Sequence, residues 1–163
     1  MEVIIEQAQV KDLAEILLLQ KQAYMSEAEL YSDFHLLPLT ETLDEIESEF
    51  SKHLFLKAIM NGVIIGAVRA YRQGDTCYVG RLVVHPKFQR QGIGTRLIEE
   101  VEKIFEDCTR FEIFTGHKSI RNINLYKKLG YKEFQVKVVS EHLQYIYMEK
   151  TKERTPCKVN NCI

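Results

Sequence analysis

Asn61-Gly62 joins two runs, 54–60 and 63–72, that are rich in apolar and β-branched residues. A two-residue hairpin needs positive φ at its central positions, and Asn-Gly is the dipeptide that best tolerates them. The pair therefore commits both runs to antiparallel strands. Gln73-Gly74-Asp75 marks the next turn and 76–84 the next strand, which His85-Pro86 ends because proline has no N–H for a ladder. Three strands in succession form a meander that the remaining segments must cover.

Those segments read mostly as helix. A short strand at 3–7 precedes a helix over 10–24, where Val10, Leu13, Leu17, Gln20 and Tyr24 recur at helical spacing. Residues 25–41 look irregular, with Pro38 inside them, and Thr42-Leu43-Asp44-Glu45 resembles a capping box opening a helix to about Lys52. Downstream, Gly92 or Gly94 opens a helix whose apolar face is Ile93, Leu97, Ile98, Val101, Ile104 and Phe105. A strand at 110–115, a helix at 120–129 with Ser119 as N-cap and Gly130 closing it, and a strand pair at 131–139 and 142–148 complete the order. This is a mixed α/β or α+β sheet with helices on its faces. At 163 residues one domain, 1–149, carries everything, and 150–163 is a polar tail.

Charge excludes some partners. With 22 basic against 23 acidic residues there is no global attraction to nucleic acid or to an anionic membrane. Met1-Glu2-Val3-Ile4-Ile5-Glu6 lacks a signal-like start and no run is long enough to span a bilayer, so a cytoplasmic location is expected. Cys77, Cys108, Cys157 and Cys162 are too scattered for a disulfide framework and have no close partner set for a metal; Cys157 and Cys162 could still pair with each other.

The passage from strand 76–84 through Lys87-Phe88-Gln89-Arg90-Gln91 into the helix at Gly92 carries the chemistry. Glycines let a ligand approach the backbone, the free N–H groups of a first helical turn suit an anion, Arg90 adds charge, and Gln89 or Gln91 adds neutral donors. The plainer alternative is that Gly92-Ile93-Gly94 only allows tight strand-to-helix packing. There is no Gly-Lys-Ser/Thr of a P-loop, and the third glycine and ribose-binding acid of a dinucleotide fold are missing.

Val84-His85-Pro86-Lys87-Phe88-Gln89-Arg90-Gln91-Gly92-Ile93-Gly94 resembles the acyl-CoA signature of the GNAT superfamily, and the stretch from Ser119 through Asn122 and Tyr126 to Tyr131 resembles its second motif. The resemblance implies a splayed, mostly antiparallel sheet of about seven strands with about four helices. Acetyl-CoA would enter between the fourth and fifth strands. Leu82, Val83 and Val84 would pair with the pantetheine arm, the loop and helix start of Gln89, Arg90, Gln91, Gly92, Ile93, Gly94 and Thr95 would hold the pyrophosphate, and Asn122 would contact the pantetheine. Tyr126 would protonate the departing thiolate, and a backbone N–H near Val83 would serve the carbonyl oxygen.

The implied activity is N-acetylation of a primary amine, of a small molecule in the first instance. Acetylation of a protein or peptide, and a non-catalytic acyl-CoA-binding module, are the alternatives. A glutamate on the fourth strand, a frequent base in such proteins, has no counterpart in Cys77-Tyr78-Val79-Gly80-Arg81. The base would then come from elsewhere or be water; acidic residues in 26–35, Glu27 among them, could draw in a cationic amine or simply form a solvated surface, and Glu41 is the candidate beyond them for lining the acceptor site. Homodimers are common in such folds.

Overall fold

The computed structural model describes residues 2–153, so Cys157 and Cys162 lie outside the described residues. Asn61 and Gly62 adopt φ of 52° and 77°, the geometry the hairpin requires, and join β2 (Leu54–Met60) to β3 (Val63–Gln73). Gly74, at φ 61°, turns the chain into β4 (Thr76–Val84), and β1 (Ile4–Gln7) pairs antiparallel with β2. A crossover through α4 (Ile93–Ile104) then lays β5 (Arg110–Gly116) parallel to β4. After α5 (Ile120–Lys128), β6 (Lys132–Val138) and β7 (Gln144–Thr151) complete one seven-stranded sheet in the order β1-β2-β3-β4-β5-β7-β6. β7 keeps Lys150 and Thr151 in the sheet, slightly beyond where the polar tail was expected to begin.

Both faces of the central strands are covered, which is why β2 and β3 read as nearly continuous apolar runs. On one face Leu97, Ile98 and Val101 of α4 pack on Leu56, Ala58, Ile65 and Val68. On the other, Leu13, Ile16, Leu17 and Leu19 of α1 (Leu13–Tyr31), with Ile46 of α3 (Leu43–Phe50), cover Phe55, Ile64, Ala67 and Val83. Thr42 caps α3 as expected, its hydroxyl accepting from the Glu45 N–H at 3.2 Å. Among the described residues no helix is long and apolar enough to cross a membrane.

The N-terminal helix departs from expectation. Periodicity ends it at Tyr24, yet α1 continues to Tyr31 and stops at Ser32, which takes a left-handed φ of 49°. Residues 25–31 contain no glycine or proline, and Ala28 and Tyr31 are buried by the rest of the fold, so tertiary packing extends the helix. Pro38 likewise interrupts nothing; it occupies the first turn of the short α2 (Leu37–Thr40), where its missing N–H costs no hydrogen bond.

Candidate functional site

β4 and β5 part company. They pair only from Thr76–Arg110 to Tyr78–Glu112, while β5 stays on β7 through Gly116–Tyr145. Beyond Tyr78 the β5-facing edge of β4 is therefore without a strand partner, an open row of backbone donors and acceptors. A bulge accentuates the bend: Ala67 lies opposite Val83 but Arg69 opposite Gly80, so Arg81 and Leu82 share the place of one residue, and Arg81 is left-handed at φ 50°. The parted strands, the C-terminal half of α1 and the starts of α4 and α5 enclose a cavity of about 1210 Å³.

At one end of the cavity lies the α4 entry. Arg90 (φ 64°) and Gly92 (φ 80°) both take left-handed backbone, which presents successive N–H groups to one concavity, and no side chain caps the helix. The free N–H groups of its first turn and the positive end of its dipole face this opening. Gly94 lies close against the neighbouring elements: a Cβ there would sit in van der Waals contact, 3.4 Å from Leu125 Cδ2 and 3.6 Å from Leu82 Cδ2. Gln89 has a structural task, because its Nε2 donates to the Val84 carbonyl at 3.1 Å and its Oε1 accepts from Arg121. It braces the end of β4 against α5 instead of offering both ends of its amide to an anion.

From α5, Asn122 and Tyr126 point into the same space. Asn122 Nδ2 donates to Thr115 Oγ1 at 3.4 Å, and Tyr126 is 3% exposed with no hydrogen-bond partner for its hydroxyl among the described residues. Burial, then the nearby Tyr24 and Glu27, push its pKa above the ordinary tyrosine value, so it stays protonated and keeps a proton to donate.

The opposite wall comes from α1. Tyr24, Glu27 and Tyr31 line the cavity at helical spacing. Ser119 Oγ donates to Glu27 Oε2 at 2.6 Å and lies 2.8 Å from the Tyr31 hydroxyl, which accepts from the Lys118 N–H at 2.9 Å. Since the Ser119 proton goes to Glu27, Tyr31 must donate to Ser119, giving a directed chain that ends on the carboxylate. Ser119 thus does not cap α5 with its side chain. Only glycine at 116 admits this arrangement, because a Cβ would lie 2.0 Å from Tyr31 Oη.

Of the residues singled out from sequence, Leu82, Val83, Val84, Gln89, Arg90, Gly92, Ile93, Gly94, Thr95, Asn122, Tyr126 and Glu27 line this cavity. Gln91 and Glu41 do not. Glu41 is buried between helix and sheet, taking Arg69 Nη1 and Nη2 at 3.0 Å each and Gln20 Nε2 at 2.7 Å. Burial pushes its carboxyl up, but those hydrogen bonds and the charges of Arg69 and Arg81 outweigh it and hold the group below its usual value. Cys77 is fully buried in the α4-side core, where burial pushes its thiol up to about 12, so no nucleophilic thiolate is available there. Sequence inspection missed Tyr24, Tyr31, Tyr145 and Arg81 as lining residues. The spacing of Tyr24, Glu27 and Tyr31 was a usable signal, hidden by ending the helix too early.

Residues 13–131 match the profile of the acetyltransferase (GNAT) family. The UPF0157 protein YqkA of Bacillus subtilis is 29% identical over 119 residues, which is 73% of this chain and 34% of that protein. The chain spans 34% to 57% of the lengths of the curated relatives it matches. The fold is shared with the PaiA N-acetyltransferase of Thermoplasma acidophilum, solved with coenzyme A, at TM-score 0.82 and 19% identity over 93% of this chain and 100% of that one. It is also shared with the ribosomal-protein-S18-alanine N-acetyltransferase of Escherichia coli, at TM-score 0.79 and 17% identity over 98% and 100% of the two chains.

Proposed function

The chain belongs to the acetyltransferase (GNAT) family, and on that premise we propose that it transfers the acetyl group of acetyl-CoA to the primary amine of a small molecule. The observation that carries this is the parting of β4 from β5 beside an uncapped helix start, with the unpartnered Tyr126 hydroxyl in the same cavity. The free edge of β4 suits the amide-bearing pantetheine arm. The left-handed turn at Arg90 and Gly92 and the first N–H groups of α4 suit a pyrophosphate.

Acetyl-CoA supplies an activated acyl group, whose C–S bond breaks as the new C–N bond forms. Each remaining task falls to this chain. The edge of β4 around Val83 orients the thioester and offers an N–H to its carbonyl oxygen. Tyr126 gives its proton to the departing sulfur and regains one from solvent. Glu27 faces the cavity as a half-buried carboxylate, drawing in a cationic amine, and the proton that the amine sheds leaves through water.

A second reading has its own support. Met25 and Leu30 line the cavity yet stay 44% and 42% exposed, with Phe34 at 53% just beyond, an apolar rim of the kind a peptide acceptor would cover.

The test is thiol release from acetyl-CoA across polyamines, amino acids, aminoglycosides and short peptides, by wild type and Tyr126→Phe. Acetyl-CoA at a hundred times its Kd should stabilise both proteins by about 2.7 kcal/mol, raising their melting temperatures. Tyr126→Phe should lose roughly 10²-fold in kcat with the cofactor affinity unchanged. Equal kcat in the two proteins would remove Tyr126 from the mechanism, and binding without turnover of any amine would favour the acyl-CoA-binding module.

A further inference from the structure

Arg81 is set apart from the other arginines of the described sheet. Arg69 pairs with Glu41, Arg72 with Asp107, and Arg110 with Glu112 and Glu149. Arg81 has no carboxylate at ion-pair distance among the described residues, and its Nε is shielded from solvent without a hydrogen-bond partner. A guanidinium cannot shed its charge, so Arg81 brings to the cavity wall a cation that no carboxylate of the described residues pairs at contact distance.

Its location narrows that ligand. Arg81 lines the cavity at the β4 bulge, and its charge acts on the hydroxyls of Tyr24 on α1 and Tyr145 on β7 and, short of ion-pair distance, on the Glu41 carboxylate that Arg69 already holds. It immediately precedes Leu82 and Val83 on the edge assigned above to the thioester. The same cavity contains the Glu27 carboxylate. Arg90, Lys118, Arg121 and Lys128 of the α4 entry and the α5 segment, and Glu29 of α1, also line it; Arg81 is the cation that the sheet contributes, and with Glu27 it suits a molecule carrying one charge of each sign. The neighbouring Arg69 is already bound to Glu41, so on the sheet Arg81 is the guanidinium left to meet an incoming anion; that suits a singly charged, planar carboxylate, which a guanidinium can grip with two parallel N–H bonds.

We propose that Arg81 binds a carboxylate of the acceptor, making the substrate class amines that carry a carboxylate, as amino acids do. This rests on the acetyl-transfer reading above and specifies its acceptor.

The experiment compares matched amines with and without the carboxylate: alanine and ethylamine, leucine and 3-methylbutylamine, lysine and 1,5-diaminopentane, and dipeptides with a free or an amidated C-terminus. Acetyl-CoA binding is measured separately by calorimetry. Wild type should favour the carboxylate member of a pair by at least about tenfold in kcat/KM, and Arg81→Gln should lose roughly 10- to 100-fold on that member alone, the scale of a charged hydrogen bond. Arg81→Lys should recover part of the loss, and both variants should keep the wild-type acetyl-CoA affinity and melting temperature. A preference confined to the free dipeptides assigns the carboxylate to a peptide, and one confined to free amino acids assigns it to a small molecule; either supports the proposal.

Equal losses on both members, a weakened acetyl-CoA affinity in Arg81→Gln, a wild-type preference for the decarboxylated amine, or no turnover of any carboxylate-bearing amine by protein that binds acetyl-CoA would each overturn it. Failure to bind acetyl-CoA would instead strike the acetyl-transfer reading on which it rests.

Discussion

Glu41→Gln tests whether this residue is a strut or part of the acceptor site. Its carboxylate takes both Arg69 Nη atoms and Gln20 Nε2, and Gln20 also donates to the Pro38 carbonyl at 2.9 Å, so one network ties β3, α1 and the α2 segment together. The substitution keeps the shape and one acceptor but leaves the Arg69 guanidinium buried without its counter-charge. Removing one partner of such a pair costs about 3–5 kcal/mol, and the retained amide oxygen argues for the lower end, about 3 kcal/mol. For a domain of this size that is about 6–12 °C in Tm. Urea denaturation at pH 7 measures it directly. The pH dependence follows from the same geometry. Because Glu41 is held below 4.5 in the fold, its stabilisation is complete above that unfolded value and is lost as pH falls through the lower folded value. Asp12 behaves alike: burial raises its carboxyl, but Lys57 at 2.7 Å and the Gln9 N–H outweigh that and lower it. The stability of wild type should therefore fall more steeply below about pH 4.5 than that of Glu41→Gln. Replacing Glu41 and Arg69 together by Leu and Met should restore much of the loss, as buried pairs exchanged for apolar side chains often do. A single-mutant loss under about 1 kcal/mol, against the range for buried pairs, or a raised KM for amine at unchanged stability, would refute the strut assignment.

Two further outcomes follow from close packing. Gly116→Ala places a Cβ 2.0 Å from Tyr31 Oη, forcing that buried ring off Ser119 and Lys118; a loss of about 1–3 kcal/mol in urea melts, with kcat falling more than acetyl-CoA affinity, is expected, and unchanged melts would show that the ring can move freely. In a Cys157→Ser, Cys162→Ser background the native protein should resist thiol reagents at pH 8, since with its thiol at about 12 only about 10⁻⁴ of Cys77 is ionised, and Cys108 is buried and shifted up as well; labelling as fast as that of unfolded protein would contradict both burials.

Local rules carried most of the fold. Asn61-Gly62 and Gly130 each needed left-handed backbone, and each stands where it was expected. Thr42 needed only its own next turn to cap α3. What local rules missed was decided by distant residues. Ser119 looks like an N-cap until Glu27 and Tyr31, far away in sequence, take its hydroxyl. The end of α1 looked like a loop because the burial of Ala28 and Tyr31 depends on segments that have not yet been placed when the helix is read alone.

The two halves of the cavity differ in the same way. Its α4 and α5 side is written in two contiguous stretches, where glycines, a strand end and a helix start must follow one another for an anion to be held by main chain. The α1 side is assembled from Tyr24 and Glu27 on one helix, Tyr145 on β7 and Arg81 on β4. Nothing adjacent in sequence marks Arg81, because its position depends on a slip of one residue between β3 and β4 that puts it in left-handed backbone. Had β4 run without the bulge, every side chain from Arg81 to Val84 would have exchanged faces of the sheet. The same slip therefore sets both which strand atoms lie along the open edge and which charge faces the acceptor. An insertion or deletion of one residue in 79–83 should change thioester placement and acceptor choice together, whereas Arg81→Gln should change only the second.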